Sequence, residues 1–168
     1  MVLGTVNILI VYDSKTGNTE RTAYLVAEGA RSVEGVNCVV KRVDETTLND
    51  LLGANGIIIG SPTYYGLMSA KIKALLDKSV EIHGGLEGKV GAAFTTSGGT
   101  ATGAETTLLS IIEAMLIHGM IVQGNPKDKH YGLAIVGAPK SDEDRELCRD
   151  FGRRVAKLTI KIFSGEKR

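Results

Sequence analysis

Short apolar runs alternate with amphipathic segments along nearly the whole chain. Most of the runs are continuous in Val, Ile, Leu and Ala instead of alternating apolar with polar residues, which favours strands buried on both faces. The runs are Val6–Tyr12, Asn37–Arg42, Gly56–Gly60, Val90–Thr96, Met120–Gly124 and Leu133–Val136. The last of them either extends the sheet or forms the second half of a broken fifth strand.

Helix-period stripes lie between these runs. Apolar residues three and four positions apart share one face of a helix, and such a face packs against a core. The stripes are Ala23, Val26, Ala27 and Ala30; Met68, Ile72, Leu75 and Leu76; Leu108, Ile112, Met115 and Leu116; and Leu147, Phe151, Val155, Leu158 and Ile162. The alternation of strand and helix predicts an α/β fold, a doubly wound parallel sheet in three layers.

Length and charge narrow the class of protein. The chain has 168 residues, with 20 basic and 19 acidic side chains and a net charge of +1. This length predicts one domain over residues 1–168, with a full three-layer core. The even charge and the lack of a basic run argue against nucleic-acid binding. No apolar run approaches the ~20 residues that cross a bilayer, and the start lacks the basic region of a signal peptide, so we expect no membrane partner.

The cysteines and histidines show no metal-ligand or redox spacing, so we predict no metal site. Cys38 lies in an apolar strand and Cys148 in a helix, which suggests reduced thiols and a cytoplasmic location. His118, at the end of a helix, is expected to interact with the helix dipole. His83 and His130 are expected to be solvated loop residues.

A hydroxyl-rich loop joins the first strand to the first helix. It consists of Ser14, Lys15, Thr16, Gly17, Asn18 and Thr19. Such a loop gathers free backbone N–H groups at the positive end of a helix dipole, and its hydroxyls can donate to phosphate oxygens. A plainer alternative is an N-cap, Asn18 or Thr19, that opens a surface helix. The glycine patterns of Walker and dinucleotide loops are absent, which leaves a mononucleotide loop suited to a flavin phosphate.

Two further loops follow the third and fourth strands, at the sheet edge where doubly wound folds bind ligands. The second loop contains Ser61, Pro62, Thr63, Tyr64, Tyr65 and Gly66, and the third contains Thr95, Thr96, Ser97, Gly98, Gly99 and Thr100. A tyrosine ring offers a flat face to a flavin, although one tyrosine could plug the sheet end and the other be incidental surface. The third loop either presents N–H groups to the flavin's pyrimidine edge or only connects two elements.

Several segments match a family pattern. The segment Gly60–Ser69 reads G-S-P-T-Y-Y-G-L-M-S and is similar to the signature G-[TS]-P-T-x-[FY]-G-x-M-S. Further matches are Val26–Ala30, Val40–Val43, Glu105–Ser110, His118–Met120 and Tyr131–Gly132. The chain therefore resembles the flavodoxin superfamily, and more narrowly the WrbA family of FMN-dependent NAD(P)H:quinone oxidoreductases. The resemblance implies a flavodoxin-like five-stranded sheet of order 2-1-3-4-5, with FMN as cofactor and NAD(P)H as co-substrate.

The chain departs from the WrbA pattern in places. Thr16–Thr19 looks more like the phosphate loop of flavodoxins than like the family's Y-G-H. Asp44–Asn55 and Asn125–Tyr131 are shorter than in that family, and Val80–His83 occupies the region of its tryptophan. Ile117–His118 stands where the family has His-His. These differences affect the quinone pocket and the tetramer built around it.

The resemblance implies an oxidoreductase that passes electrons from NAD(P)H through the flavin to a quinone or a similar small-molecule acceptor. The flavin carries the chemistry, so no catalytic side chain is required. We also expect a homo-oligomer that buries helix faces near Met68–Leu76 or Leu108–Leu116. A flavodoxin-type electron carrier is the alternative, but such carriers are typically acidic and this chain is not. A flavin-free interaction protein on the same fold is a third possibility.

Overall fold

A parallel β-sheet forms the middle layer of the protein. The computed structural model describes residues 5–163, so both ends of the predicted 1–168 domain lie outside the described residues. The strands are β1 (Val6–Tyr12), β2 (Val36–Arg42), β3 (Gly56–Pro62), β4 (Val90–Ser97), β5 (Ile121–Val122) and β6 (Leu133–Val136). The helices are α1 (Asn18–Arg31), α2 (Leu48–Gly53), α3 (Ala70–Lys78), α4 (Ala104–Ile117) and α5 (Asp142–Phe163).

The strand order confirms the predicted doubly wound topology. The strands pair in the order β2-β1-β3-β4-β5, and all the pairings are parallel. β5 pairs with Val90 and Gly91 at the start of β4, whereas β6 pairs with Phe94–Ser97 at its end. The fifth position in the sheet is therefore shared by two short strands, as the broken-strand alternative predicted. The predicted strand Met120–Gly124 is reduced to Ile121–Val122, because the chain then leaves the sheet.

Burial on both faces explains the continuous apolar runs. Successive residues of a strand point to opposite faces. Ile8 and Ile10 of β1 pack against α1 and α5, whereas Leu9 and Val11 belong to the core on the other face, with α2, α3 and α4. The three-layer architecture is thus confirmed, and both cores are built from the sheet outwards.

Helices α1 and α5 approach each other closely through two glycines. A Cβ added at Gly29 would lie 2.0 Å from the carbonyl oxygen of Arg149, and one added at Gly152 would lie 2.0 Å from that of Val26. No larger residue fits at these positions without separating the helices. This close contact fixes how both helices lie on β1 and β4.

Helix α5 is the longest helix that is described, with 22 residues, but it carries a charged outer face. Within residues 5–163, no helix is both long enough and apolar enough to pass through a membrane.

The strand register brings four loops to one edge of the sheet. Tyr12 pairs with Gly60, Pro62 with Thr96, and Ser97 with the last residue of β6, Val136. Because all these strands are parallel, the loops that follow β1, β3, β4 and β6 leave the sheet on the same side. The candidate site lies among these loops.

Candidate functional site

The three predicted loops meet in one cavity of about 190 Å³ at the carboxyl edge of the sheet. The cavity is lined by Lys15, Thr16, Asn18, Thr19, Pro62, Thr63, Tyr64, Thr96, Ser97, Gly98 and Gly137. All of these except Gly137 were predicted from the sequence as cofactor-binding residues. The other predicted residues, Ser14, Gly17, Tyr65, Gly66, Gly99 and Thr100, lie in the same loops but do not line the cavity.

The first loop leaves the N-terminus of α1 free of a side-chain cap. Gly17 is the N-cap residue, with φ of +86°, and no side chain caps the helix. The alternative of Asn18 or Thr19 as N-cap is therefore wrong. The Ser14 hydroxyl accepts the Gly17 N–H at 3.1 Å, which turns the loop towards the helix. The first N–H groups of an uncapped helix can bind an anion.

Hydroxyl groups join the three loops. Thr19 Oγ1 lies 2.8 Å from Thr96 Oγ1, and this pair links the first loop to the third. Thr63 Oγ1 lies 2.9 Å from Thr95 Oγ1, which in turn donates to the Ser61 carbonyl at 2.7 Å. The backbone N–H of Thr63 donates to the Thr96 carbonyl at 2.8 Å. These bonds hold the walls of the cavity at fixed positions relative to one another.

The two adjacent tyrosines occupy different environments. Tyr64 lines the cavity, and its backbone N–H and carbonyl both pair with Leu67, at 3.1 and 3.0 Å. Tyr65 is fully exposed, with φ of +51°, a conformation that non-glycine residues seldom adopt. The paired backbone and Gly66, at φ of +74°, shape a tight turn with Tyr65 at its tip.

The third loop places part of its backbone at the cavity. Ser97 and Gly98 line it, whereas Thr100 is exposed beyond it. The Gly99 carbonyl accepts hydrogen bonds from the hydroxyls of Ser97, at 2.9 Å, and Thr102, at 2.7 Å. The third loop is therefore a turn that its own side-chain hydrogen bonds stabilise, and not only a connection between two elements.

Sequence reasoning missed Arg42, the last residue of β2. Its Nη2 donates to the Ser14 carbonyl at 3.0 Å, and its guanidinium carbon lies 5.5 Å from the centre of the Tyr12 ring. The Tyr12 hydroxyl donates to Glu20 at 2.7 Å. Burial, and then the hydrogen bond to Glu20, raise the pKa of Tyr12 above its ordinary value. Arg42 thus supports the first loop from outside the cavity, and its Nη1 also lies 3.9 Å from Glu20 Oε1.

Gly137 was also missed. It follows β6, and its N–H donates to the Ser97 carbonyl at 2.8 Å. The available signal was the short apolar run Leu133–Val136, because a strand there must end at the same edge of the sheet. Both alternatives for that run place it in the sheet, so the loop that begins at Gly137 could have been predicted as a fourth loop at this edge.

The cysteines are free, as predicted, and both are buried. His118 does lie at the end of α4, but its Nε2 lies 2.7 Å from the Ser79 hydroxyl instead of contacting the helix carbonyls. The His83 ring lies 5.9 Å away, centre to centre. Among the residues that the structure describes, no group of His, Cys, Asp and Glu is arranged to hold a metal ion.

The donor set of the cavity suits a phosphate-bearing cofactor. Its lining provides the hydroxyl of Thr16 and the ammonium group of Lys15, beside the uncapped N-terminus of α1, and it contains no carboxylate. A dianion would therefore meet donors and a positive charge, without a like charge to oppose it. The residues present fit the phosphate of FMN.

Comparisons with known proteins place the chain in a family. Residues 45–127 match the family described as NADPH-dependent FMN reductase. The chain is 41% identical to a flavodoxin of Aquifex aeolicus, over 95% of this chain and 90% of that protein. It is 36% identical to an NAD(P)H dehydrogenase (quinone) of Archaeoglobus fulgidus, over 92% of this chain and 98% of that protein.

A solved structure agrees with these sequence relatives. The fold is similar to that of a flavodoxin, WrbA-like protein from Agrobacterium tumefaciens, with a TM-score of 0.79 and 28% identity. The match covers 94% of this chain and 99% of that one. The chain therefore belongs to the flavodoxin superfamily, near its WrbA branch.

Proposed function

We propose that the protein passes electrons from NAD(P)H through FMN to a quinone or a similar small-molecule acceptor. An FMN-dependent NAD(P)H oxidoreductase is supported by the NADPH-dependent FMN reductase match and by the quinone dehydrogenase relatives. The structural observation that supports the proposal most directly is the convergence of three loops on one polar cavity at the carboxyl edge of the sheet.

In this proposal the first loop holds the phosphate. The N–H groups at the start of α1, together with the hydroxyl of Thr16 and the ammonium group of Lys15, would bind its oxygens. Arg42 keeps the loop in place through the Ser14 carbonyl. Because Thr19 is bonded to Thr96, the phosphate end and the third loop are held as one unit.

The second and third loops would hold the isoalloxazine. Tyr64 lines the cavity with an exposed fraction of 42%, so part of its ring remains available for stacking. Backbone N–H groups near Gly98 would face the pyrimidine edge, where they stabilise negative charge. When bound, FMN supplies the two-electron transfer chemistry, and the protein positions it.

The cavity provides no histidine or carboxylate for general acid–base work, and its titratable residues are Lys15 and Tyr64. Hydride transfer to a bound flavin requires no such group from the protein. The chain's own contributions are therefore to bind and orient the cofactor and to leave room for a stacked substrate.

A flavodoxin-type electron carrier is the second candidate. It is favoured by the flavodoxin relative, whose 41% identity exceeds the 36% of the quinone dehydrogenase. The charge balance of 20 basic and 19 acidic residues argues against a carrier, because carriers that dock on basic partners depend on an acidic surface. We therefore place the enzyme first.

The two functions can be separated by one experiment. FMN-loaded protein is mixed anaerobically with NADH or NADPH, and the flavin absorbance is followed. The enzyme should bleach rapidly and recover when a quinone is added. A carrier should bleach with dithionite but not with either nicotinamide nucleotide. A protein that stays colourless with excess FMN would contradict both functions and favour an interaction role.

Most apolar residues of the two helix faces that were predicted to associate are already buried within the chain. The predicted faces around Met68–Leu76 and Leu108–Leu116 mostly pack into the core, where Ile72 and Met115 are fully buried. Exposed apolar side chains lie instead beside the ends of α3 and α4, with exposed fractions of 70% for Val80 and 76% for Ile117. We propose that a homo-oligomer uses this end of the two helices.

Light scattering tests the association. A dimer burying ~1,200 Å² or more in total should give twice the chain mass of 17.8 kDa. Ile117→Glu should shift the protein to a monomer without loss of FMN. A monomeric wild-type protein at micromolar concentration would contradict the proposal.

We also propose a reducing, cytoplasmic location. Burial raises the pKa of Cys38 to about 11 and that of Cys148 to about 12, so both stay as thiols at neutral pH. Thiols of this kind do not need an oxidising compartment. Titration with a thiol reagent should find both groups free after unfolding and neither reactive in the folded protein.

A further inference from the structure

A second cleft lies between helix α5 and the loop that joins β5 to β6. Its volume is about 450 Å³, larger than the cavity at the first loop, and it shares no lining residue with that cavity. Leu133, Leu147 and Phe151 give it an apolar part. Five basic side chains and two acidic ones surround this part: Lys127, Lys129, Arg153, Arg154 and Lys157, with Asp128 and Asp150.

The acidic groups already have partners. Arg153 is bonded to Asp150 and to Glu146 on the same helix. Lys129 Nζ lies 3.9 Å from Asp128 Oδ2. These pairs leave three cations, on both sides of the cleft, without a neutralising carboxylate.

The three remaining cations are Lys127, Arg154 and Lys157. Within residues 5–163, no carboxylate oxygen lies within 4.0 Å of their charged nitrogens, although other basic residues of α5 are paired in this way. Arg154 and Lys157 are three residues apart on α5, so they lie on one face of the helix. Lys127 approaches from the opposite loop. The cleft is therefore a local concentration of positive charge in a chain that is nearly neutral.

Arg154 is the least solvated of the three. It is half-buried, its Nη2 lies 3.5 Å from the Gly124 carbonyl, and burial lowers the pKa of its guanidinium. Removing a cation from water without a counter-ion is unfavourable, and an anion bound in the cleft would offset this cost. A guanidinium also has the geometry to bind a phosphate with two parallel hydrogen bonds.

The loop opposite α5 is held in one shape. The Asn125 N–H donates to the His130 carbonyl at 3.1 Å, and His130 Nδ1 lies 2.7 Å from the Asn125 carbonyl. The side-chain oxygen of Asn125 accepts the Lys127 N–H at 3.2 Å. This closed loop keeps the Lys127 wall at a fixed distance from the helix.

We propose that this cleft binds a small ligand that combines a phosphate with a flat, apolar body, of the class of the nucleoside monophosphates. The free cations would bind the phosphate, and the body would lie over the half-buried Leu147, with the buried Phe151 and Leu133 beneath it. The concave shape and the volume are in the range of small-ligand sites, whereas a protein partner requires a broad interface of ~1,200 Å² or more. This proposal does not depend on the proposed oxidoreductase activity.

The test is titration calorimetry with AMP as the probe and FMN-loaded protein, so that the first loop is already filled. AMP should bind at least tenfold more tightly than adenosine, which has no phosphate, and than inorganic phosphate, which has no body. The flavin absorbance spectrum should not change. Raising the salt concentration should weaken AMP binding, because the cations are partly exposed.

Variants locate the site. Arg154→Gln should weaken AMP binding at least tenfold, and Lys157→Gln several-fold. The matched control is Lys78→Gln, which makes the same charge change on α3, outside the cleft. FMN retention and the thermal midpoint should be the same in all three variants, which shows that they fold.

Three outcomes would overturn the proposal. They are AMP binding that Arg154→Gln leaves unchanged, AMP binding that alters the flavin spectrum, and no AMP binding at millimolar concentration. In the last case, binding of polyglutamate would indicate an acidic protein partner instead.

Discussion

Thr19 Oγ1, in the first turn of α1, lies 2.8 Å from Thr96 Oγ1 at the end of β4, and both residues are buried. The two positions are 77 residues apart in the chain. One hydroxyl of the pair donates to the other, so the pair holds the walls of the cavity together and at most one of its two hydrogens is free for a ligand. Thr16, which lines the cavity and is exposed, is the better candidate for direct contact with a phosphate.

Thr16→Ala should therefore weaken FMN binding and leave riboflavin binding nearly unchanged, because riboflavin has no phosphate. One lost hydrogen bond to a charged group costs about 1.5–3 kcal/mol. Fluorescence titration of apo-protein with each flavin measures the difference. Thr16→Ser retains the hydroxyl and should bind FMN like the wild type. Equal weakening of both flavins by Thr16→Ala would contradict the assignment of the first loop to the phosphate.

Arg42→Gln should also weaken FMN more than riboflavin, through the position of the first loop. Arg42 contacts the Ser14 carbonyl and not the cavity, and its side chain is 35% exposed. Solvent screening reduces the effect to about 1 kcal/mol, or roughly fivefold in affinity. Lys41→Gln removes the same charge from the neighbouring residue, which pairs with Asp50, and serves as the control. Should the two variants bind FMN equally well, Arg42 would have no role in positioning the loop.

Tyr64→Ala should change flavin fluorescence and the rate of reduction by NAD(P)H more than it changes FMN retention. Tyr64 lines the cavity, and aromatic stacking contributes about 0.5–1.5 kcal/mol beyond burial. Tyr65→Ala should have the smaller effect on fluorescence, since its ring is fully exposed at the tip of the turn. Stopped-flow reduction of both variants measures this order, and the reverse order would place Tyr65 against the flavin instead.

Most of the fold could be predicted from the sequence, because each buried strand corresponds to a local run of apolar residues. Helix α2 was missed, since Leu48–Gly53 is too short to show a helical stripe. Its signal was a capping box: the Thr47 hydroxyl accepts the Asp50 N–H at 3.2 Å, and the Asp50 carboxylate accepts the Thr47 N–H at 2.8 Å. The overlong fifth strand has a different cause, since Asn125 pairs with His130 in its own loop and not with the sheet.

The sequence predicted which loops form the candidate site, but it did not predict where each side chain of those loops lies. Three loops could be placed at one edge because they follow parallel strands. Tyr64 and Tyr65 could not be distinguished, because the backbone of the turn decides which ring lines the cavity. Arg42 was missed because the predicted strand order places the end of β2 beside the first loop without specifying which atom the long side chain reaches.

Gly29→Ala and Gly152→Ala should each destabilise the fold. In both variants the new methyl group would overlap a carbonyl oxygen of the facing helix, and overpacking typically costs about 1–3 kcal/mol. Gly53→Ala is the control, because a Cβ there meets nothing within 4 Å. Urea unfolding of the three variants measures the difference. A free energy of unfolding for Gly152→Ala equal to that of Gly53→Ala would contradict the close contact of α1 and α5.

The stability of the fold should depend on pH through His118. This residue is buried at the end of α4, and its Nδ1 has no hydrogen-bond partner among the described residues. Burial, and then the nearby His83, lower the pKa of His118 in the folded protein. The unfolded chain takes up its proton near the ordinary value of about 6.5. Below that pH the unfolded state therefore binds more protons than the folded state, and acid favours unfolding.

The contribution of His118 to the free energy of unfolding should be complete above pH ~6.5 and should decrease as the pH falls below it, by at most about 1.4 kcal/mol per pH unit. Urea unfolding at several pH values between 7 and 5 measures the slope. His118→Gln should flatten it, whereas His130→Gln, in an exposed loop, should leave it unchanged. If His118→Gln kept the full acid slope, the loss of stability would have to come from other groups, and the buried imidazole would be protonated as readily in the folded protein as in the unfolded chain.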